Sequence, residues 1–341
     1  MTGSRLRYHG KIPSEILERI VFKHLGVKRE DVILGPKLGE DAAVVKVGDE
    51  TLIASTDPIT GALERVGFLA VHVCANDVAT RGVQPRWFTS CILLPEGAGE
   101  EIVQRICDQI DKAARGVGVA VIAGHAEVTP GLNHPIVVGC MMGVAENGRY
   151  ITSSGAKLGD KLVLTKGVGI EGTAILASDR EDVLSKRLGR DIAKRAKNFF
   201  EKISVVKDAT IAFKTGGVTA MHDPTEGGVT GGLHELADAA NAGLRVYEEK
   251  LLVPIETRKI CNCFGIDPLQ LISSGSLLIA VEEGGVTRLL RNLERNGVAA
   301  SEIGIITNAS KGRTLVKKNG REVKLVRPGS DHLWKALAKS L

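Results

Sequence analysis

The sequence has few aromatic residues and lacks the patterns typical of membrane proteins and thiolate metal proteins. Aromatic side chains make up 4% of its 341 residues, which argues against a stacking surface for single-stranded nucleic acid. No apolar run is long enough to cross a membrane, and no signal peptide is recognisable. The six cysteines include no Cys-x-x-Cys pair. We therefore expect a cytoplasmic protein with reduced thiols that binds neither nucleic acid nor a membrane.

An excess of charge of one sign is also lacking. Lys and Arg outnumber Asp and Glu by 45 to 40, a net charge of +5, and the basic residues are dispersed. One basic cluster lies on a helical pattern between Lys186 and Lys197. The pattern favours a solvent-exposed helix face, and a surface that binds a polyanion is the alternative. The charge balance alone therefore indicates no particular partner.

Acidic residues at the ends of strands recur along the chain. Glu40 and Asp41 stand between a glycine and the apolar run 42–45, which has the pattern of a buried strand. Such a pair is consistent with a solvated turn, and equally with oxygen ligands for Mg²⁺. Asp57 ends the next predicted strand, and Asp223 precedes another glycine-rich turn. The recurrence favours a cation site over unrelated turns.

Two further stretches precede predicted helices and carry possible anion contacts. Lys11 stands just before the first predicted helix, 15–25, and is either an exposed lysine or one that reaches an anionic ligand. The glycine-rich turn 166–173 joins a predicted strand to a helix, where backbone N–H groups can bind a phosphate. It lacks the Lys-Ser or Lys-Thr that ends a P-loop.

The predicted elements alternate strands with helices, an α+β layout. Helices are predicted at 15–25, 66–80, 100–117, 182–201, 208–215, 230–242, 286–296 and 331–341. Strands are predicted at 42–45, 51–55, 87–94, 119–123, 135–144, 162–165, 277–281 and 301–306. A hairpin over 315–326 is predicted to turn at Asn319-Gly320.

Six short motifs occur in a specific order, and together they resemble one known superfamily. They are Gly-Glu-Asp-Ala-Ala (39–43), Ser-Thr-Asp-Pro (55–58), Ala-Asn-Asp-Val-Ala (75–79), Gly-Val-Gln-Pro (82–85), Gly-His-Ala-Glu-Val-Thr-Pro-Gly (124–131) and Asp-Pro-Thr-Glu-Gly-Gly (223–228). The set resembles the ATP-binding superfamily of aminoimidazole ribonucleotide (AIR) synthase. That superfamily includes the hydrogenase maturation protein HypE, selenophosphate synthetase, thiamine-monophosphate kinase and formylglycinamidine ribonucleotide synthetase. The motif at 223–228 looks most like HypE and AIR-synthase-related proteins.

The resemblance implies an α+β two-domain fold of the PurM-like type. Residues 1–35 would form an N-terminal arm and a helix with a lysine loop. Residues 36–150 would form the ATP-binding domain, whose sheet would close a barrel across a homodimer. Residues 151–341 would form an α/β layered C-terminal domain.

The resemblance also implies ATP as a cofactor, bound in a cleft with Mg²⁺. The implied metal ligands are Asp41, Asp57 and Asp77. Other residues implied at the nucleotide are Glu40, Asn76, Gly167, Gly169, Thr225, Gly227 and Gly228. Implied catalytic residues at the phosphates or the second substrate are Lys11, His125, Glu127 and Asp223. The chemistry is consistent, since phosphoryl transfer gains most from positioned cations and Mg²⁺ takes oxygen ligands.

The implied activity is ATP-dependent phosphorylation of an amide-type or carbonyl oxygen of a small second substrate. The alternatives are a kinase similar to thiamine-monophosphate kinase and a nucleotide-binding factor, without turnover, that assists hydrogenase or metallocentre maturation. Two departures separate the chain from specialised members. The terminal cysteine of HypE is absent, because the chain ends in Ser340-Leu341. Selenophosphate synthetase shares a histidine at His125, but Tyr8 to Gly10 replace its reactive cysteine. We therefore expect neither specialised chemistry.

Overall fold

The computed structural model describes residues 10–62 and 64–339, and within them two β-sheets organise the chain. The predictions that involve Tyr8, Ser340 and Leu341 lie outside the described residues. The first sheet contains β1 (Val32–Leu34), β2 (Ala43–Val47), β3 (Glu50–Ile59), β4 (Trp87–Leu94), β5 (Ala120–Val128) and β6 (Ile136–Val144). Its helices are α1 (Ser14–Arg19), α2 (Val66–Thr80) and α3 (Glu100–Val117).

The second sheet contains β7 (Lys161–Thr165), β8 (Val218–His222), β9 (Gly243–Tyr247), β10 (Leu278–Val281), β11 (Ala300–Thr307), β12 (Arg313–Val316) and β13 (Glu322–Lys324). Its helices are α4 (Ile170–Asp179), α5 (Glu181–Leu188), α6 (Arg190–Lys197), α7 (Val206–Thr215), α8 (Gly228–Ala239), α9 (Ile255–Phe264), α10 (Val286–Arg295) and α11 (His332–Leu337). The predicted helix 182–201 is thus two helices separated by Gly189. The predicted hairpin is confirmed, since β12 and β13 pair antiparallel.

The first sheet has the strand order β1-β2-β3-β6-β4-β5, and helices cover only one of its faces. Alternation along the strands directs Ile53, Phe88 and Met141 toward α2, where all three are fully buried. The opposite face is only half-buried although it is largely apolar. We call it the uncovered face; it includes Leu52, Trp87, Leu93, Ile136, Val138 and Met142.

Strand β5 forms one edge of the first sheet and is exposed along its whole length. Val121, Ile122 and Val128 are each at least half exposed. The sequence predicted a strand that ended at Ala123, but β5 continues to Val128 in parallel pairing with β4. The motif around His125 is therefore part of a strand and not a turn.

The second sheet, ordered β13-β12-β9-β11-β7-β10-β8, is covered on both faces. Leu162, Leu164 and Ala220 face one core with α8, and Val163 faces the other with α4 and α7. That second core is continuous with the core of the first sheet.

Helix α2 is buried along almost its whole length, because it lies inside this shared core. A helix that is apolar around its whole circumference suits such a position. None of the helices described for residues 10–62 and 64–339 has both the length and the apolar character needed to cross a bilayer.

Candidate functional site

Four aspartates from separate elements form an acidic cluster, and they come from both halves of the chain. Asp41 lies just before β2, Asp57 in β3, Asp77 on α2 and Asp223 just after β8. Ligand oxygens of Asp41, Asp77 and Asp223 all lie within 4.8 Å of one another. Asp57 faces Asp77. After burial, it is Asp57 that most raises the pKa of Asp77, through charge repulsion and a hydrogen bond. We call these four residues the acidic cluster.

Three oxygens of the acidic cluster have no hydrogen-bond partner among the described residues. Both carboxylate oxygens of Asp223 and Oδ2 of Asp41 are buried without a hydrogen-bond partner. Burial, reinforced by the neighbouring carboxylates, raises the pKa of Asp77 and of Asp223 well above the usual range. Buried carboxylates are costly unless a cation compensates them. An all-oxygen donor set of this kind fits Mg²⁺.

His222 contacts the cluster from the strand end that precedes Asp223. Its Nδ1 lies 2.7 Å from Asp41 Oδ1 and its Nε2 lies 3.0 Å from Glu235 Oε2. Burial alone would lower the pKa of His222, but Asp41 and Glu235 outweigh burial and raise it to about 10. His222 therefore lies between two carboxylates that both favour its protonated form.

Lys11 lies at the entrance to the acidic cluster and is fixed at two points. Its Nζ is 3.4 Å from Glu235 Oε1, and its backbone N–H donates to Glu226 Oε2 over 2.7 Å. Gly10 permits this approach, since a Cβ there would lie 1.9 Å from the same Glu226 oxygen. Glu235, more than Asp57 or Asp41, raises the pKa of Lys11. The half-exposed ammonium therefore stays charged beside the cluster.

Glu40 and Asn76 have protein partners at positions where nucleotide contacts were predicted. Glu40 accepts from the backbone N–H groups of Ser153 and Ser154 and forms a buried ion pair of 2.9 Å with Arg81. The amide of Asn76 donates to the carbonyl of Ile203 and accepts from a backbone N–H, over 2.9 and 2.8 Å. A direct role at ATP would require these buried bonds to break.

The glycine-rich turn between β7 and α4 also differs from the prediction. The N–H groups of Gly167, Val168 and Gly169 donate to Thr165 O, Leu252 O and Ser273 Oγ respectively. They are therefore not available to a phosphate in this conformation. The turn could be found from sequence, but Leu252 and Ser273 are remote in sequence and could not be identified as its partners.

The second predicted glycine pair lies beside the C-terminal helix. The N–H of Gly227 donates to Asp331 Oδ2, and the N–H of Gly228 donates to the carbonyl of Thr225. A Cβ on Gly228 would lie 2.6 Å from Leu271 O. These residues shape the turn that carries Asp223 into α8, and their predicted role at the nucleotide stays a prediction.

His125 and Glu127 are not near the acidic cluster within one chain. His125 Nε2 lies 3.1 Å from Glu127 Oε2, and both side chains are exposed on β5. The strand register aligns Asp57 with Gly139, Ser90 and Gly124, so His125 lies on the other face of the sheet, the uncovered face. Among the described residues neither side chain contacts an aspartate of the cluster.

Sequence reasoning missed three buried or partly buried titratable residues, His222 and Glu235 beside the cluster and Glu171 on α4. His222 directly precedes a predicted residue, and Glu235 follows on the next helix, but only the fold brings them together. Glu171, in the first turn of α4, is buried with an unpartnered Oε2. Burial raises its pKa to about 7. No local sequence pattern distinguishes such a buried carboxyl from the acidic residues that commonly occur in the first turn of a helix.

Comparison with known proteins agrees with this architecture. The model of the AIR synthase related protein N-terminal domain matches residues 39–145, and that of the C-terminal domain matches residues 157–317. A putative hydrogenase expression/formation protein of Methanocaldococcus jannaschii is 27% identical over 92% of this chain and 93% of its own length. Carbamoyl dehydratase HypE of Rhizobium leguminosarum bv. viciae is 28% identical over 77% and 75%.

Solved structures with low sequence identity share the fold. HypE in complex with ATP has a TM-score of 0.71 at 23% identity, and covers 94% of this chain and 96% of its own. AaThiL, a thiamine-monophosphate kinase complexed with AMPPCP and TMP, has a TM-score of 0.73 at 20% identity, covering 97% and 99%. The predicted PurM-like two-domain fold is thus confirmed.

Proposed function

The chain belongs to the family of AIR synthase related proteins, and from this we propose that it uses ATP and Mg²⁺ to activate an amide-type or carbonyl oxygen of a second substrate. The observation that carries the proposal is the convergence of Asp41, Asp77 and Asp223 with unpaired buried oxygens. The relatives named carbamoyl dehydratase HypE and the HypE structure with ATP support it.

Asp41, Asp77 and Asp223 would hold Mg²⁺, and Asp57 would add negative charge beside Asp77. When bound, Mg²⁺ would neutralise charge on the phosphates and orient them for transfer. Lys11 supplies a half-exposed ammonium that would contact phosphate oxygens at the entrance. Phosphorylation would turn the substrate oxygen into part of a good leaving group, inorganic phosphate.

We propose domain boundaries at 36–150 and 151–341, and a homodimer that meets through the first sheet. The uncovered face exposes apolar side chains, and β5 leaves a complete strand edge unpaired. Soluble proteins rarely leave such a face and edge in contact with water. A second copy would cover both and close a barrel.

The names of the relatives also favour a role in maturation. Proteins named for hydrogenase expression/formation match over nearly the full chain, which supports a metallocentre-maturation protein as a possible partner. In that alternative the chain would bind ATP without turning it over on its own.

Calorimetric titration with ATP, in Mg²⁺ and in EDTA, tests the proposal. We expect tight binding in Mg²⁺ and a large loss of affinity in EDTA. A thermal-shift screen of ATP with a metabolite panel then identifies the second substrate, because a ligand of the folded state raises Tm. ADP release with that substrate supports an enzyme, and tight binding without release supports the binding factor. Equal affinity in EDTA would contradict the Mg²⁺ requirement.

A further inference from the structure

A row of four polar side chains in contact connects the N-terminal segment to the acidic cluster. Asp41 Oδ1 is 2.7 Å from His222 Nδ1, and His222 Nε2 is 3.0 Å from Glu235 Oε2. The other oxygen of Glu235, Oε1, is 3.4 Å from Lys11 Nζ. Each inner member thus contacts a neighbouring member of the row on both sides. We call this set the charge row.

Within the charge row, the two carboxylate oxygens of Asp41 have different surroundings. Oδ1 contacts His222, while Oδ2 is buried without a hydrogen-bond partner and belongs to the side of Asp41 left for a cation. A histidine that holds one oxygen of a ligating carboxylate fixes the direction of the other. Glu235 divides its oxygens in the same way between His222 and Lys11.

Backbone contacts fix both ends of the charge row. Gly39 packs directly on α8, where a Cβ would lie 2.2 Å from the carbonyl oxygen of Glu235. At the other end, the backbone N–H of Lys11 donates to Glu226. The two inner side chains are well shielded, with exposures of 3% for His222 and 21% for Glu235. Removing one member of a shielded pair leaves an uncompensated charge, so the members depend on one another.

We propose that His222 and Glu235 are positioning residues that couple Lys11 to the acidic cluster. They orient Asp41 for the cation and hold Lys11 at the entrance, and in this proposal the orienting effect outweighs the charge repulsion between Lys11 and the cation. Docking of segment 10–13 and cation binding then favour each other. The inference rests on the proposed function, because the cation in question is the one that would accompany ATP. Neither His222 nor Glu235 touches the nucleotide in this proposal.

The coupling is tested with Mn²⁺ alone, as a probe for the divalent cation, and by hydrogen exchange of segment 10–13. We expect His222→Asn to weaken Mn²⁺ binding about tenfold and to speed exchange at Lys11, which His222 does not touch. Lys11→Met should also weaken Mn²⁺ binding, although Lys11 contacts no proposed ligand directly. The variant that combines Lys11→Met with His222→Asn should bind Mn²⁺ no more weakly than His222→Asn alone, because both substitutions act through the same charge row.

Two variants separate positioning from simple stability. His222→Arg should recover Mn²⁺ affinity in part, because a guanidinium can donate to two carboxylates at once. His234→Asn is the matched control. His234 is a buried histidine beside Glu235 in sequence, but it contacts Leu325 O and Arg313. We expect that variant to lower Tm and to leave Mn²⁺ affinity and exchange at segment 10–13 unchanged.

Each outcome supports or overturns the inference. If His222→Asn stays within about twofold of the parent protein in Mn²⁺ affinity and exchange, His222 is only structural and the inference is overturned. Losses from Lys11→Met and His222→Asn that add independently overturn it as well. If either result is found while the parent protein still needs Mg²⁺ to bind ATP, the proposed function stands. If the parent protein binds neither Mn²⁺ nor ATP with Mg²⁺, both fall together.

Discussion

Glu171 shows how a single buried carboxyl affects the stability of this protein. It is nearly inaccessible to water, and its Oε2 has no hydrogen-bond partner. Burial, with smaller contributions from Asp331 and Glu226, raises its pKa from 4.5 to about 7. The folded protein thus holds a proton here that the unfolded chain releases.

We expect Glu171→Gln to stabilise the protein at pH 8 and to have little effect near pH 4. With a raised folded-state pKa, the folded chain binds more protons between pH 4.5 and about 7, so its stability falls as pH rises through that window. The cost at pH 8 is up to about 3 kcal/mol, which glutamine avoids. Urea unfolding at both pH values measures the difference. A loss of stability that is larger at pH 8 than at pH 4 would show that the carboxylate has a stabilising partner instead.

The acidic cluster leads to a second prediction at the scale of single residues. Asp57→Asn and Asp77→Asn should each weaken ATP binding in Mg²⁺ more than tenfold, above about 1.4 kcal/mol. Asp77→Asn should also raise Tm without cations, because burial and the neighbouring carboxylates raise the pKa of Asp77 and so lower the stability of the folded state at neutral pH. Calorimetry and a thermal scan test both statements. Asp108→Asn, exposed on α3, is the control and should change neither quantity.

Strand β5 and the uncovered face support a prediction at the scale of elements. The protein should have a mass in solution near twice 36.2 kDa. Val138→Glu, a charge in the middle of the uncovered face, should shift it toward monomer, because an unpaired charge is costly in an apolar interface. Light scattering after size exclusion measures the mass. Val27→Glu is the control, since Val27 is 87% exposed. A parent protein that is already monomeric at micromolar concentration would rule out the dimer.

The sequence predicts elements better than their contacts. The helix at 100–117 and the turn at Asn319-Gly320 follow from local patterns, and the structure confirms both. Asp41 and Asp77 could likewise be found from sequence, because each lies within a short motif of consecutive residues. In contrast, the N–H groups of the turn at 167–169 bind Leu252 and Ser273, which only the fold brings near. Long-range partners decide which polar groups stay free.

The position of Asn76 leads to a prediction for the whole molecule. Its buried amide bonds the carbonyl of Ile203 and the N–H of Val205, and so joins α2 to the C-terminal half. Asn76→Ala should destabilise the protein by about 3 kcal/mol, because it leaves two buried backbone groups without partners. Chemical denaturation measures this, and ATP affinity should change less than about twofold if the role is structural. Asn262→Ala, on an exposed part of α9, is the control.

The shared hydrophobic core around α2 has a consequence for how ligands enter. Enzymes built from two bodies often open by a hinge, which needs a weakly packed boundary. Here the core residues of the first sheet continue through α2 into α4 and α7 without interruption. A close-packed interior of this kind resists shearing, so the two halves should unfold together in one cooperative transition. We therefore expect access to the acidic cluster to change through smaller segments such as 10–13, which Lys11 attaches to Glu226 and Glu235.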